Sequence, residues 1–405
     1  MLTLISWRNV WRSKIRSLVL ISSIALGIWA GVFILAFSWG MSTQYVNIAI
    51  KGQISHIQIH NRDYKKDKKI KYSIPGSQKI IYEIDSIPEV KSASARTVIN
   101  GMISSATTGV GATITGIDPE KENLVTGMRT NIIDGNYFTT VKRNQIVIGE
   151  KLAKKLNVKL NNKIVLTFQD VNGNITAGAF RITGIFKTRN STFDELHVFV
   201  KSNDLNSILG LEQDATHEIA ILLKDNNNLK KVTQQLKSKF PGLLIEDWQQ
   251  IAPELRFVID SLDETMYLFI SIILLALTFG IINTMLMAVL ERVREIGILM
   301  AIGMNKLKVF LMIMIETLYL AIIGGLAGLI MAYGTIHIIG KTGIDLSSFT
   351  AGLSAYGMDT IVYPSLPVSQ YIDIMIMVFI AAIIAAIYPA YKALKLKPVK
   401  AIRKI

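Results

Sequence analysis

The chain contains no cysteine. Disulfides, thiolate catalysis, thiolate metal sites and a lipid-modified cysteine are excluded together. An oxidising compartment stays open, because a domain of about 225 residues buries enough surface to stand without covalent staples. A complete phosphate-binding loop is also missing. Gly340-Lys341-Thr342 reproduces the end of that motif, but the position of its first glycine holds Thr335. This chain is therefore not expected to hydrolyse ATP. No nucleophile, base and metal-ligand cluster stands out, so neither a catalytic residue nor a metal site is expected. His56 and His60 come nearest to a ligand pair, yet on a strand they sit about 13 Å apart at roughly 3.3 Å per residue.

Charge is absent over long stretches. Ser17 to Ile50 and Thr265 to Leu290 carry none, whereas roughly 20 apolar residues suffice to cross a bilayer. Half of the 405 residues are hydrophobic and the mean hydropathy is +0.39, too apolar for a soluble protein and too charged for one wholly in membrane. The net charge of +14 is not a nucleic-acid signature, because it is concentrated near the apolar runs. Outside 40–264 there are 15 basic residues against 6 acidic, and inside it 29 against 24.

An integral membrane α-helical protein follows, with four transmembrane helices expected at 18–39, 265–290, 309–335 and 374–391. A large extracytoplasmic α+β domain, 40–264, separates the first two. Residues 1–17 place Leu4, Trp7, Trp11 and Ile15 at helical spacing among Arg8, Arg12, Lys14 and Arg16, as in a helix lying on the membrane surface. A cleaved signal peptide fits less well, since its apolar core is about 7 to 15 residues and no A-x-A site follows. Within 40–264, alternation predicts strands at Ile54–His60, 146–148, 163–169, 179–186, 197–200 and 218–223, with helices at 149–156 and 227–240. The run Arg62, Lys65, Lys66, Lys68, Lys69 and Lys71, interleaved with Asp63 and Asp67, reads as a solvated loop.

Pro253 suits the first turn of a helix, with Glu254 near its positive end. Its apolar period continues to Leu290, roughly 57 Å at 1.5 Å per residue against about 30 Å of hydrocarbon, so the surplus forms a stalk. Short cytoplasmic flanks collect Lys and Arg. The N-terminal flank has four, 291–308 four and the tail 392–405 six, against one in the loop 341–371. Both termini and the middle hairpin are expected inside, the domain and the 341–371 loop outside.

Gly27 and Gly31, and Gly324, Gly325 and Gly328, mark helices that approach closely, within the subunit or between subunits. Glu316 is a carboxylate in a membrane helix and a functional suspect by type, although pairing with basic residues near the cytoplasmic face weighs more. The hairpin tip is Glu291-Arg292-Val293-Arg294-Glu295-Ile296-Gly297-Ile298-Leu299-Met300-Ala301-Ile302-Gly303-Met304. A helical hairpin needs only about 2 to 8 connecting residues. The surplus suits a short surface helix that either anchors the hairpin or docks in a partner's groove.

The pattern E-R-x-R-E-I-G-x-L-x-A-x-G resembles the coupling segment of the ABC transporter permease subunits grouped with MacB, FtsX and the lipoprotein-releasing (Lol-type) permeases. Ile315-Glu316-Thr317-Leu318 before Gly324-Gly325, and the closing Tyr388-Pro389-Ala390 with Pro398-Val399-Lys400-Ala401-Ile402-Arg403, are similar to further stretches of that family. The resemblance implies a coupling helix at 291–308, with Glu291, Arg292, Arg294, Glu295, Gly297, Leu299, Met300, Ala301, Gly303 and Met304 meeting a cytoplasmic ATPase. It implies two copies of that ATPase, which would hold ATP and Mg, so no cofactor in this chain. It further implies a homodimer or a heterodimer with a related permease, in a bacterial inner membrane with 40–264 periplasmic. The expected function is extraction of lipoproteins from the outer leaflet, with Trp29, Phe33, Phe37, Phe269 and Ile273 lining an apolar substrate cavity unless they only pack or meet lipid. The alternatives are MacB-like mechanotransmission that expels peptides or drugs, and FtsX-like transmembrane regulation.

Overall fold

The computed structural model describes residues 2–138 and 144–395, apart from the side chains of Asp263 and Ala351. The closing basic tail lies, beyond Lys395, outside the described residues. Two compact units are present: 1–42, 259–345 and 361–405 form one, and 43–258 with 346–360 the other.

The first unit is helical because its apolar runs satisfy their backbone groups internally, which a membrane demands. Its elements are α1 (Leu2–Arg12), α2 (Lys14–Ala49), α3 (Pro253–Glu291), α4 (Val293–Ala301), α5 (Lys306–Thr342) and α6 (Val368–Leu394). Of these, α2, α3, α5 and α6 are long and apolar enough to cross a membrane. Their glycines explain the packing. A Cβ on Gly27 or Gly31 would meet Leu277 or Ile273 of α3 at 2.8 Å. On Gly324 and Gly328 it would meet Ile24 at 2.9 Å and the Ala25 carbonyl at 2.6 Å, both on α2, whereas Gly325 faces Met375 and Val378 of α6. Small residues here let α3, α2, α5 and α6 approach one another within one subunit.

The second unit is built on a ten-stranded mixed sheet. Its strands are β1 (Ile57–Asn61), β2 (Val90–Ser104), β3 (Gly109–Ile117), β4 (Ile132–Gly135), β5 (Gln145–Gly149), β6 (Lys163–Gln169), β7 (Ile175–Phe186), β8 (His197–Lys201), β9 (Glu218–Leu223) and β10 (Leu243–Asp247). They run β10-β1-β9-β2-β3-β8-β5-β7-β4, with β6 paired to both β2 and β7. The β3–β8 and β5–β7 pairs are parallel and the rest antiparallel. Ile103, Ile114, Ile146, Ile164, Phe180 and Val198 fill one core beneath the sheet.

Two expectations need correction. The first strand does not start at Ile54: residues Ile50–Ile54 prolong α2 as a π-helix, and Ser55 at φ 67° breaks it before β1. The helix persists because the domain supplies a partner for its last carbonyls, described below. The expected extent of the loop 341–371 also changes, since α5 runs to Thr342 and α6 starts at Val368. Residues 346–360 belong to the domain unit, where Arg189 bonds Asp359 at 2.7 Å and Gln44 donates to the same carboxylate at 3.4 Å.

Candidate coupling site

Between α3 and α5 the chain turns through α4. Arg292, outside helical geometry at φ −101°, opens it. Gly303, at φ 102°, closes it, with the Met304 and Gly303 N–H groups donating to the Leu299 and Met300 carbonyls. That left-handed turn is the one place in the tip that requires glycine. Asn305 then caps α5, its side chain accepting from Leu307 N–H at 3.2 Å.

The tip is tied to the N-terminal helix by charge. Arg12 meets Glu295 and Arg16 meets Glu291, each at 2.8 Å, and Arg292 meets Glu316 of α5 at 3.0 Å. The second arm of Arg292 donates to the Asn9 carbonyl at 3.0 Å, within the last turn of α1. Ser6 donates to the Met312 carbonyl at 3.0 Å, and Ser6 and Val10 are buried, so α1 rests on α5. Leu4, Trp7, Trp11 and Ile15 stay exposed, a stripe suited to the lipid interface.

This geometry redistributes the residues expected to meet a partner. Glu291, Arg292 and Glu295 engage α2, α5 and α1. Gly297 is buried, Leu299 lines the space beneath α4, and Met300 and Met304 pack on the membrane-unit core. Arg294, Ile298, Ala301, Ile302 and Gly303 are exposed, the first four at helical spacing on one face, with Ile302 80% exposed. Neither Ile298 nor Ile302 is in the set implied by the resemblance. The pairing of α1 with the tip also went unread. Its signal is the matched spacing: Arg12 and Arg16 are four apart, as are Glu291 and Glu295.

Residues expected to form a substrate cavity have different surroundings in the structure. Trp29 donates to the Thr335 hydroxyl at 3.0 Å, joining α2 to α5, and Ile273 sits against Gly31. Phe33 packs half-buried on the core and Phe37 is half-buried, while Phe269 is 47% exposed on α3. Gly340-Lys341-Thr342 is the C-terminal end of α5, the wrong pole of a helix for phosphate. Among the described residues no group of His, Asp and Glu is placed to hold a metal.

The domain holds a second knot. Buried Arg96 on β2 donates to both oxygens of Glu122 at 2.8 and 3.0 Å, to Glu218 of β9 at 2.8 Å, and to the Gln53 carbonyl at 3.0 Å. Gln53 lies in the π-helical end of the α2 extension. Burial works against the charge, yet Glu122 and Glu218 push the Arg96 pKa up. Burial opposes ionisation of Glu218 too, but His60 and Arg96 hold its carboxyl below the usual range. His56 and His60 are structural here: His56 Nδ1 accepts the Leu223 N–H at 3.1 Å, and His60 stacks on Tyr64.

The description MacB-like periplasmic core domain matches residues 17–239, and FtsX-like permease C-terminal matches 267–398. The chain belongs to the MacB/FtsX-like permeases of ABC transporters. This permease is 26% identical over 263 residues to the lipoprotein-releasing system transmembrane protein LolC of Buchnera aphidicola, covering 64% of this chain and 63% of that one. It is 21% identical to LolC of Neisseria meningitidis, covering 98% of this chain and 95% of that one. The periplasmic region of MacB from Actinobacillus actinomycetemcomitans aligns over 52% of this permease and 96% of that structure, at 15% identity and a TM-score of 0.37.

Proposed function

We propose that this permease works with a separate cytoplasmic ATPase to extract lipoproteins from the outer leaflet of a bacterial inner membrane. What carries the reading is one helix. The 39 residues of α3 run from Pro253 to Glu291, one residue short of the Arg292 that opens α4, roughly 58 Å at 1.5 Å per residue. Such a helix is long enough to cross the bilayer with several turns to spare, so displacement of α4 on one side is delivered as displacement of the stalk on the other. The near full-length similarity to a LolC protein supports lipoprotein as cargo.

The motor side is the face of Arg294, Ile298, Ala301 and Ile302. Two ATPase copies, holding ATP and Mg, meet two such faces in a dimer of this chain or of this chain with a related permease. Both termini and α4 lie in the cytoplasm and the domain in the periplasm, following the Lys and Arg bias of the flanks. The acyl chains lie against the exposed apolar side of α3 around Phe269, and Phe33 and Phe37 face them from a neighbouring copy.

Mechanotransmission without lipid entry is the second reading. It is favoured by the way Ile273 and Trp29 are used up in packing α2 against α3 and α5. Photocrosslinkers at positions 33 and 269, in membranes containing the active complex, separate the two. Capture of acylated protein from both supports extraction. Crosslinks only to lipid or to the second permease, in a complex that still works, overturn it in favour of mechanotransmission.

A further inference from the structure

We propose that Glu316 and the N-terminal helix α1 are positioning elements for α4: the pose in which α4 meets its ATPase is set by Glu316 and the Asn9 carbonyl holding Arg292 between them. This rests on the coupling role put forward above and adds residues outside the coupling set. Packing holds α4 along only part of its surface, through Val293, Ile296 and Gly297. A cavity of about 360 Å³ lies against it, lined by Ile5, Asn9, Val289, Ile296, Leu299 and Met312 among others, and a helix beside open space lacks the close contacts that would fix its tilt.

Direction comes instead from the first residue of the turn. One guanidinium joins α1 through the Asn9 carbonyl, α5 through Glu316 and α4 through its own backbone. Arg12–Glu295 and Arg16–Glu291 flank this joint, so a push on α4 is divided among α1, α2 and α5 as well as α3. A buried ion pair suits registry more than stability, because its gain is largely offset by desolvation. Glu316 is 4% exposed and therefore acts through Arg292.

The cysteine-free chain makes a direct test possible. A nitroxide on Ile302→Cys is read in the full chain in nanodiscs, alongside the ATP hydrolysis that the permease stimulates in added ATPase subunit. With native Glu316 the label gives one ordered component. Glu316→Gln adds a mobile component and lowers stimulation by about tenfold, within the usual range of coupling between sites. Arg292→Lys, which keeps the charge and loses the fork, gives a smaller effect of the same kind. The exchanged pair Arg292→Glu/Glu316→Arg keeps the ion pair but sets a carboxylate, which cannot donate, against the Asn9 carbonyl, so it recovers the ordered component only in part. An unchanged spectrum in both single variants, or an exchanged pair as ordered as the native chain, overturns the proposal. Failure of the native chain to bind or stimulate any ATPase removes the coupling role, and the spectra still decide whether Glu316 positions α4.

Discussion

Two arginines in this molecule do the same job with different backing. Arg96 in the domain and Arg292 at the tip each reach the last-turn carbonyl of a helix, Gln53 and Asn9 respectively, and each is neutralised by glutamate. A cation there meets the negative end of the helix dipole. Arg96 has two carboxylates, one beside it on the sheet, and is almost wholly buried. Arg292 has one, keeps 14% of its side chain exposed and borders a cavity. The first arrangement suits a joint that must not move, and the second a joint whose pose is adjustable. The proposed drive from one end uses both.

The largest expected effect separates the two joints. Arg96→Ala leaves Glu122 and Glu218 buried without their cation and should cost ~3–5 kcal/mol, read as a lower melting temperature of the full chain in detergent. A loss below about 1 kcal/mol, the level of an exposed pair, would mean that the fixed joint is no firmer than the tip.

Acid tests the domain at another buried group. Burial lowers the His56 pKa to about 4, and its Nδ1 is occupied in accepting the Leu223 N–H. The folded state therefore excludes a proton that the unfolded chain takes up near its ordinary pKa. This contribution is complete above about pH 6.5 and is lost as pH falls towards 4, at about 3 kcal/mol for that interval. His56→Asn should flatten that part of the stability profile, and an unchanged slope would assign the loss elsewhere.

A third expectation concerns the helix packing between the two ends. In Gly328→Ala the new Cβ falls 2.6 Å from the Ala25 carbonyl, costing ~1–3 kcal/mol by overpacking. Gly280→Ala meets nothing within 4 Å and should be neutral or stabilising by up to about 1 kcal/mol. Melting of the two variants side by side checks the difference. The smallest effect belongs to Arg12→Ala. Its pair with Glu295 is 64% and 44% exposed, so stability should change by less than about 1 kcal/mol and less still at high salt.

Legibility in the sequence followed periodicity. The strands at 163–169 and 218–223 appear where alternation or an unbroken apolar run marks them, and the long helices where charge is absent. The two longest-paired strands did not. Val90–Ser104 reads VKSASARTVINGMIS and buries residues from both faces, including Ser92, Ser94, Arg96 and Thr97. A strand lined by small polar side chains shows neither alternation nor an apolar run. The site was legible as a segment but not as a geometry. Pairing of Glu316 with a basic residue near the cytoplasmic face is legible from its place in the helix, and Arg292 is that residue; the second contact of Arg292, 283 residues away, is not, because no local spacing encodes contacts of that range. The docking of 346–360 onto the domain was hidden for the same reason.

The account depends on α4 and the domain lying on opposite sides of the membrane, and the absence of native cysteine allows that to be measured without background. Single substitutions Arg294→Cys and Lys237→Cys, both at exposed positions, are treated in intact cells with a membrane-impermeant maleimide that has passed the outer membrane. Labelling at 237 and protection at 294 until the inner membrane is opened is the expected result. Labelling at 294 in intact cells would contradict it.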